Sequence, residues 1–190
     1  MTAYLLAGPA AEPVSRAEAK AFLRLDDEAE DALVDTLITA ARLHVEGTTA
    51  RAMMAQSWRL VRDAWPADGA VTLPVAPLMT LTAINAYDGT GTAYPVTLDQ
   101  FEIDAMTPRL LLPAEIEGVP ALRRRQGIEI DYVAGYGETA ADVPADLRQA
   151  VLALCAYWFE HRDAAVVSAT DPVAPAGFDR LVANYRRARL

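Results

Sequence analysis

The spacing of apolar residues divides the chain into two helical stretches separated by a stretch of short strands. In the first stretch, residues 15–50, Ser15 and Glu18 have the spacing of a capping box, which predicts the start of a helix. Asp27 is the predicted N-cap of a second helix, which Gly47 is placed to end. The apolar face of this second helix is formed by residues at helical spacing, namely Leu33, Leu37, Ala40, Ala41 and His44.

Residues 56–135 change to the two-residue period of β-strands. The cleanest predicted strand is Ile128–Tyr132, in which apolar residues alternate with two acidic ones. Asp88-Gly89 is a hairpin signal, and Pro95 places the return strand at a sheet edge. Further short strands are expected at Trp58–Leu60, Leu81–Tyr87, Phe101–Ile103 and Arg109–Leu112.

Residues 143–190 return to the helical period. Pro144 suits the first position of a helix that is apolar nearly all round, which predicts a central helix. Its main stripe is formed by Leu147, Val151, Leu154 and Trp158, and a short amphipathic helix follows after a loop with Pro172 and Pro175. We therefore predict an α+β fold with a single domain over residues 1–190, in which a small helical bundle carries a β-rich insertion over residues 56–135.

The composition is that of a globular protein and argues against some functions. The chain has 190 residues, of which 53% are hydrophobic, and a net charge of -9. An acidic chain is a poor general grip for DNA, because phosphate binding needs clustered cations. A single cysteine excludes an internal disulfide and fits a reducing compartment. The N-terminus lacks the basic residues of a signal peptide, and the longest apolar run is too short to span a bilayer, so we expect folding in a cytoplasm.

Candidates for catalysis are few. Cys155 and His161 are six positions apart, so they face different sides of one helix, and Cys155 lies in an apolar run where cysteine behaves as a small hydrophobe. Two histidines and one cysteine cannot assemble a His/Cys metal cluster. The glycines at positions 135 and 137 lack the pattern of a phosphate loop. Two acidic pairs could be imagined as hydrolytic carboxylates, but read better as solvated surface: Glu115/Glu117 and Glu129/Asp131.

Opposite charges concentrate on two short segments. One is the run Arg123, Arg124 and Arg125, and the other is the start of the second helix with Asp26, Asp27, Glu28, Glu30 and Asp31. Arginine suits bidentate pairing across protein interfaces. The two segments are either complementary faces of an assembly or two unrelated solvated surfaces. The residues alone favour an assembly protein over an enzyme.

Several short segments also occur in a characteristic order along the chain. They are Val14–Lys20 with Leu23–Asp26, Ala40–Arg42 running to Val45–Gly47, Gln56–Trp58, Pro77-Leu78, Tyr132–Gly137, Val143–Ala150, His161-Arg162 and a terminal Leu181 with Tyr185-Arg186. As an ordered set, they resemble the head–tail connector, or adaptor, family of long-tailed bacteriophages and phage-like gene transfer agents. The resemblance extends over residues 14–188.

This resemblance implies a function. Members of the family form a ring, commonly of twelve copies, beneath the portal at one capsid vertex. The ring extends the DNA channel and offers a platform to the next neck or tail protein. The expected partners are therefore further copies of the chain, the portal protein and a stopper or tail-completion protein, while genomic DNA passes through without specific binding. The resemblance implies no catalysis, cofactor, metal or membrane contact, and a place in the virion neck after assembly in the bacterial cytoplasm.

The resemblance also assigns roles to residues by position. By position, residues 176–190 are expected to dock on the portal through Phe178, Leu181, Val182, Tyr185, Arg186 and Arg187. The hinge formed by Pro172, Pro175 and Gly177 and the shortness of the helix that follows separately predict that this segment is loosely attached to the free chain. A closed ring needs two different, complementary patches on each copy. The predicted inter-subunit residues are Asp27, Glu30, Asp31, Arg123, Arg124 and Arg125. Two alternatives stay open at this point, a small carboxylate-dependent hydrolase and a monomeric peptide-binding module.

Overall fold

A computed structural model describes residues 1–104, 107–161 and 174–186 of the chain. The chain divides into two units, which we call the β unit and the helical unit. The β unit comprises Met1–Pro9 and Ala55–Tyr136, and the helical unit comprises Ala10–Met54 and Gly137–Leu190. Helices and antiparallel strands occupy different units, which confirms the predicted α+β class. That the chain acts as one domain over residues 1–190 stays a prediction.

The described part of the helical unit contains four α-helices: α1 (Arg16–Leu23), α2 (Asp31–Thr49), α3 (Ala145–Glu160) and α4 (Phe178–Val182). Short 3₁₀ turns lie before α3 at Ala140–Asp142 and after α4 at Ala183–Tyr185. The core of the unit lies between α2 and α3. It is formed by Val34, Ile38, Ala41 and Val45 from α2 and by Leu147, Ala150, Val151, Leu154 and Cys155 from α3. The prediction that α3 is central is confirmed.

The predicted start of α1 agrees with the structure, whereas the predicted ends of α2 do not. The capping box of α1 forms as predicted, since the Glu18 amide donates to the Ser15 hydroxyl at 3.2 Å and the Ser15 amide donates to the Glu18 carboxylate at 2.9 Å. The predicted cap of α2 is wrong, because the helix begins at Asp31 and Asp27 accepts from the Ala29 amide in a turn that precedes it. The helix also continues through Gly47 to Thr49.

The β unit is built on a five-stranded antiparallel sheet with the strand order β1-β2-β8-β4-β5. Its strands are β1 (Thr2–Ala7), β2 (Gln56–Arg62), β4 (Leu78–Tyr87), β5 (Ala93–Pro95) and β8 (Ile128–Ala134). A second sheet of three short antiparallel strands has the order β3-β7-β6. These are β3 (Ala70–Thr72), β6 (Glu102–Asp104) and β7 (Arg109–Leu111). The strands β1 and β3 were not predicted from the sequence.

The register of the five-stranded sheet separates a buried face from a polar face. Leu60 pairs with Ile130, which pairs in turn with Ile84, and all three side chains are buried. One residue away, Arg59 pairs with Asp131 on the opposite face. The alternation predicted for β8 is therefore confirmed, and so is the hairpin at Asp88-Gly89 with its return strand β5.

Candidate interaction surfaces

The C-terminal segment is held by the helical unit along most of its described length. Phe178 is 4% exposed and Val182 is fully buried, and α4 contacts both α2 and α3. The ring of His44 lies 5.4 Å from that of Phe178 and makes a T-shaped contact with Trp158, with 5.7 Å between the ring centres. His44 is therefore a packed aromatic residue of this core. Phe178 and Val182 are not available on the surface of the free chain.

The end of the segment is tied to the helical unit as well. The Tyr185 carbonyl accepts from Arg51 Nε at 2.8 Å, and the Arg51 guanidinium lies 6.0 Å from the centre of the Tyr185 ring. Arg186 forms an ion pair with Asp179. The expectation of loose attachment is therefore wrong for residues 178–186, whereas Arg187 lies outside the described residues. Docking of this segment on a portal stays a prediction.

Some of the acidic residues at the start of α2 are already paired with basic residues of α1. Lys20 Nζ donates to the Asp31 carboxylate at 2.6 Å, and Arg16 Nη1 lies 3.1 Å from the same group. The hydrogen bond from Lys20, together with both positive charges, holds the pKa of Asp31 below its usual range. Arg16 also pairs with Asp35. Asp31 thus connects α1 to α2. The accessible acidic patch consists of the exposed carboxylates in the turn before α2, namely Asp26, Asp27 and Glu28.

The basic run Arg123–Arg125 sits on a tight turn of the β unit. Arg123 is engaged inside the unit, because its guanidinium lies 4.3 Å from the centre of the Tyr87 ring and its Nε donates to the Gln126 carbonyl at 2.8 Å. A Cβ at Gly127 would lie 2.9 Å from the Arg123 and Asp63 carbonyl oxygens, so the turn requires glycine there. Arg124 and Arg125 are exposed. The available basic patch therefore consists of these two residues.

The acidic pair Glu129/Asp131 belongs to an ion network on the polar face of the sheet. Arg59 donates to both Asp131 oxygens at 2.6 and 2.7 Å and lies 2.9 Å from the Glu129 carboxylate. Glu129 also accepts from the Tyr87 hydroxyl at 2.8 Å. A bidentate arginine between two carboxylates joins β2 to β8 and occupies the oxygens that a hydrolase would need free. This arrangement is structural in character.

The other catalytic candidates are similarly engaged. Cys155 is 1% exposed, and burial raises the pKa of its thiol to about 12, so it is not a thiolate at neutral pH. His161 stacks on Tyr157 at 4.4 Å and its Nδ1 lies 2.8 Å from the Tyr157 carbonyl oxygen. Across residues 1–104, 107–161 and 174–186, no group of three or more His, Cys, Asp and Glu side chains is placed to hold a metal. In the same ranges, no helix is long and apolar enough to cross a bilayer.

The exposed surface of strand β1 was not predicted from the sequence. The edge strand β1 exposes Tyr4 (43%), Leu5 (46%) and Leu6 (46%). Charged residues are absent from the whole of this strand, Thr2–Ala7. The signal in the sequence is the uncharged run at residues 2–7, but a run this short does not distinguish a buried strand from an exposed one.

Comparison with known proteins gives full-length structural matches. No family model and no curated protein sequence matches the chain. Among solved structures, a chain from the neck of an empty gene transfer agent particle, computed with C6 symmetry, is 30% identical with a TM-score of 0.83; the match covers 100% of this chain and 97% of the other. A chain from the virion of the native particle is 28% identical with a TM-score of 0.82 and the same coverage.

A third match comes from the neck of the native particle computed with C12 symmetry, with 28% identity, a TM-score of 0.75, and coverage of 100% of this chain and 97% of that one. Two of the three structures are described as necks of gene transfer agent particles, and the other is described as the virion of such a particle. Agreement over the whole length includes both the helical unit and the β unit. Together with the ordered sequence segments, this agreement shows that the chain belongs to the head–tail connector (adaptor) family of long-tailed bacteriophages and phage-like gene transfer agents.

Proposed function

We propose that this chain forms a ring below the portal, extends the DNA channel and joins the capsid to the next neck or tail protein. The observation that carries the proposal is the full-length match to neck chains of particles computed with C6 and C12 symmetry. Cyclic symmetry of this kind supports a ring of repeated copies, and twelve is the copy number that the C12 neck favours. The proposed partners are the portal protein on one side and a stopper or tail-completion protein on the other.

We assign portal docking to those side chains of the C-terminal segment that remain accessible while α4 is packed on the helical unit. Leu181 and Tyr185 are half-buried and Arg186 is exposed, so these side chains can contact a portal while α4 stays in place. Arg187 lies outside the described residues and is proposed for the same contact by its position in the sequence alone. Phe178 and Val182 hold α4 on the helical unit and reach a partner only if α4 detaches.

The exposed charges are assigned to contacts between neighbouring copies. Arg124 and Arg125 of one copy would face the acidic turn before α2, including Asp27, in the next. Glu30 and Asp31 belong to the same region, although Asp31 is held by Lys20 and Arg16. Such exposed pairs contribute only about 0–1 kcal/mol each, so they would set the register of the ring more than its strength.

Charge reversal tests this assignment. Arg124→Glu with Arg125→Glu should impair ring assembly on the portal, and Asp26→Arg with Glu28→Arg in the same chain should partly restore it. The control reverses two exposed acidic residues of the β unit, Glu115→Arg with Glu117→Arg, which changes the net charge equally and should restore nothing. Equal rescue by both pairs, or by neither in a folded protein, would show that the two patches are not partners.

The proposed channel role predicts weak contact with DNA. A net charge of -9 per copy disfavours a phosphate grip, so DNA can slide through the ring. The decisive experiment mixes the purified chain with portal protein from the same particle and examines the product by light scattering and electron microscopy. Rings on the portal support the proposal, and a chain that stays monomeric with its portal at saturating concentration contradicts it.

A further inference from the structure

We propose that neighbouring copies in the ring join their sheets edge to edge, with β1 of one copy pairing with the first half of β4 in the next. The inference deepens the proposed ring function and depends on it. It starts from a feature of the β unit alone: the five-stranded sheet ends in two different edges, and each has backbone groups that pair with no strand among the described residues.

The first edge is β1. It pairs with β2 on one side, from Thr2 opposite Val61 to Ala7 opposite Ser57, and no described residue pairs with its other side. Tyr4, Leu5 and Leu6 are each more than 40% exposed, so both faces of the strand carry apolar surface in solvent. A strand that is uncovered in this way is a template for another strand.

The second edge is the first half of β4. Its partner β5 covers only Asn85–Tyr87, and the Val96 amide extends that contact to the Ile84 carbonyl. Along Leu78–Ala83, only β8 pairs with β4 among the described residues, so no strand pairs with the opposite side over the same length as β1. Met79 is 41% exposed there, and Thr80 and Thr82 are exposed as well.

These two edges lack the charges and prolines that keep strand edges apart, although a register shift interrupts the inner ladder of β1 once and that of β4 twice. Natural sheets protect their edges with charges, proline or very short strands. The other edges of this chain use them: β5 is three residues long and ends in Pro95, and β6 carries Glu102 and Asp104. By contrast, Thr2–Ala7 and Leu78–Ala83 contain no charged residue and no proline, in a chain in which 23% of residues are charged. Uncharged, proline-free edges of matched length permit a sheet to continue into another copy.

Ring symmetry makes the second copy the occupant and gives the strand direction. A cyclic ring needs two different complementary surfaces on each copy, and the two edges are different. Three successive antiparallel pairings, β1 with β2, β2 with β8 and β8 with β4, make β1 and β4 run in opposite directions. Twelve-fold symmetry turns each copy by only about 30° from the next, so strand directions are nearly kept. The new pair is therefore antiparallel, with Thr2 near the Ala83 end of the open edge.

Crosslinking between engineered cysteines tests the pairing. Thr2→Cys with Thr82→Cys puts thiols at the two ends that this direction brings together, and both threonines are exposed. Thr2→Cys with Thr72→Cys is the matched control, because Thr72 is an exposed threonine of the other sheet. The native Cys155 is buried with a raised pKa and will react little with a maleimide. Rings assembled on the portal are treated with a short bis-maleimide and run on a denaturing gel.

We expect the Thr2/Thr82 variant to give a ladder of covalent multimers, while the Thr2/Thr72 control and each single variant stay at no more than dimers. Rings that form normally but give no ladder, or a control that links as well, would overturn the edge-to-edge pairing while leaving the ring intact. A wild-type chain that forms no ring would instead refute the proposed function. Leu6→Lys adds a charge to the open edge and should prevent assembly without unfolding the monomer; normal rings from this variant would also overturn the inference.

Discussion

Replacing Phe178 with alanine tests how firmly the C-terminal segment is attached to the helical unit. The side chain is 4% exposed and its ring packs on His44 at 5.4 Å. Truncation of a buried phenylalanine to alanine typically costs about 3–5 kcal/mol, from lost burial and the cavity that remains. Because α4 has five residues, it cannot persist as an isolated helix. The variant can therefore release α4 from the helical unit. The decrease in the free energy of unfolding then cannot exceed the free energy that holds α4 in place.

We expect Phe178→Ala to lower the free energy of unfolding by about 3 kcal/mol, near the low end of that range. Urea denaturation followed by circular dichroism measures this loss, and amide hydrogen exchange over residues 178–186 shows whether α4 is released. Leu181→Ala is the matched variant on the same helix, and we expect it to cost about 1 kcal/mol because the side chain is only half-buried. A loss below about 1 kcal/mol for Phe178→Ala would refute the packing argument.

The same two variants separate attachment from docking. If Leu181 contacts the portal, Leu181→Ala weakens portal binding while the fold keeps most of its stability. Phe178→Ala weakens portal binding only because it displaces the C-terminal segment. Its portal affinity should therefore return towards that of wild type under solution conditions that stabilise the helical unit. Equal portal affinity for wild type and Leu181→Ala would remove Leu181 from the docking surface.

Three further predictions concern ion pairs, pH and DNA. Arg42 is nearly buried and joins Glu12 (2.7 Å) to Glu46 (2.8 Å), so Arg42→Ala should cost about 3–5 kcal/mol in urea denaturation, whereas the exposed Arg180→Ala should change little. Hydrogen bonds from the Thr90 hydroxyl and nearby amides hold the pKa of Asp88 at about 2, so the ionised carboxylate stabilises the fold at any pH above the pKa of this group in the unfolded chain. The difference in unfolding free energy between wild type and Asp88→Asn should therefore shrink as the pH falls from about 4 towards 2. A difference that does not change with pH would contradict this prediction. Gel-shift titration with duplex DNA near physiological salt should detect no complex, and tight, strongly salt-dependent binding would expose a basic surface that the charge argument misses.

The surfaces that we propose for assembly were only partly predictable from the sequence. The sequence identified the arginine run and the acidic turn, yet it could not tell that Arg123 stacks on Tyr87 or that Asp31 is held by Lys20. It also overestimated the freedom of the C-terminal segment, because an amphipathic helix looks the same whether its apolar face awaits a partner or is already buried. The open edges of the sheet were invisible, since an edge is defined by a partner that is missing.

The sequence alone determined the fold class and those local elements whose signals lie within a short window. The Ser15/Glu18 capping box, the alternation of Ile128–Tyr132 and the turn at Asp88-Gly89 are contacts among residues a few positions apart, so a short window contains the whole signal. Tertiary structure alone decided that residues 2–7 form a strand, because that strand pairs with residues of β2 that lie fifty or more positions further along the chain. It likewise decided that Asp131 pairs with Arg59 across 72 positions. Long-range pairing depends on how the whole chain closes its core, and no local pattern carries that information.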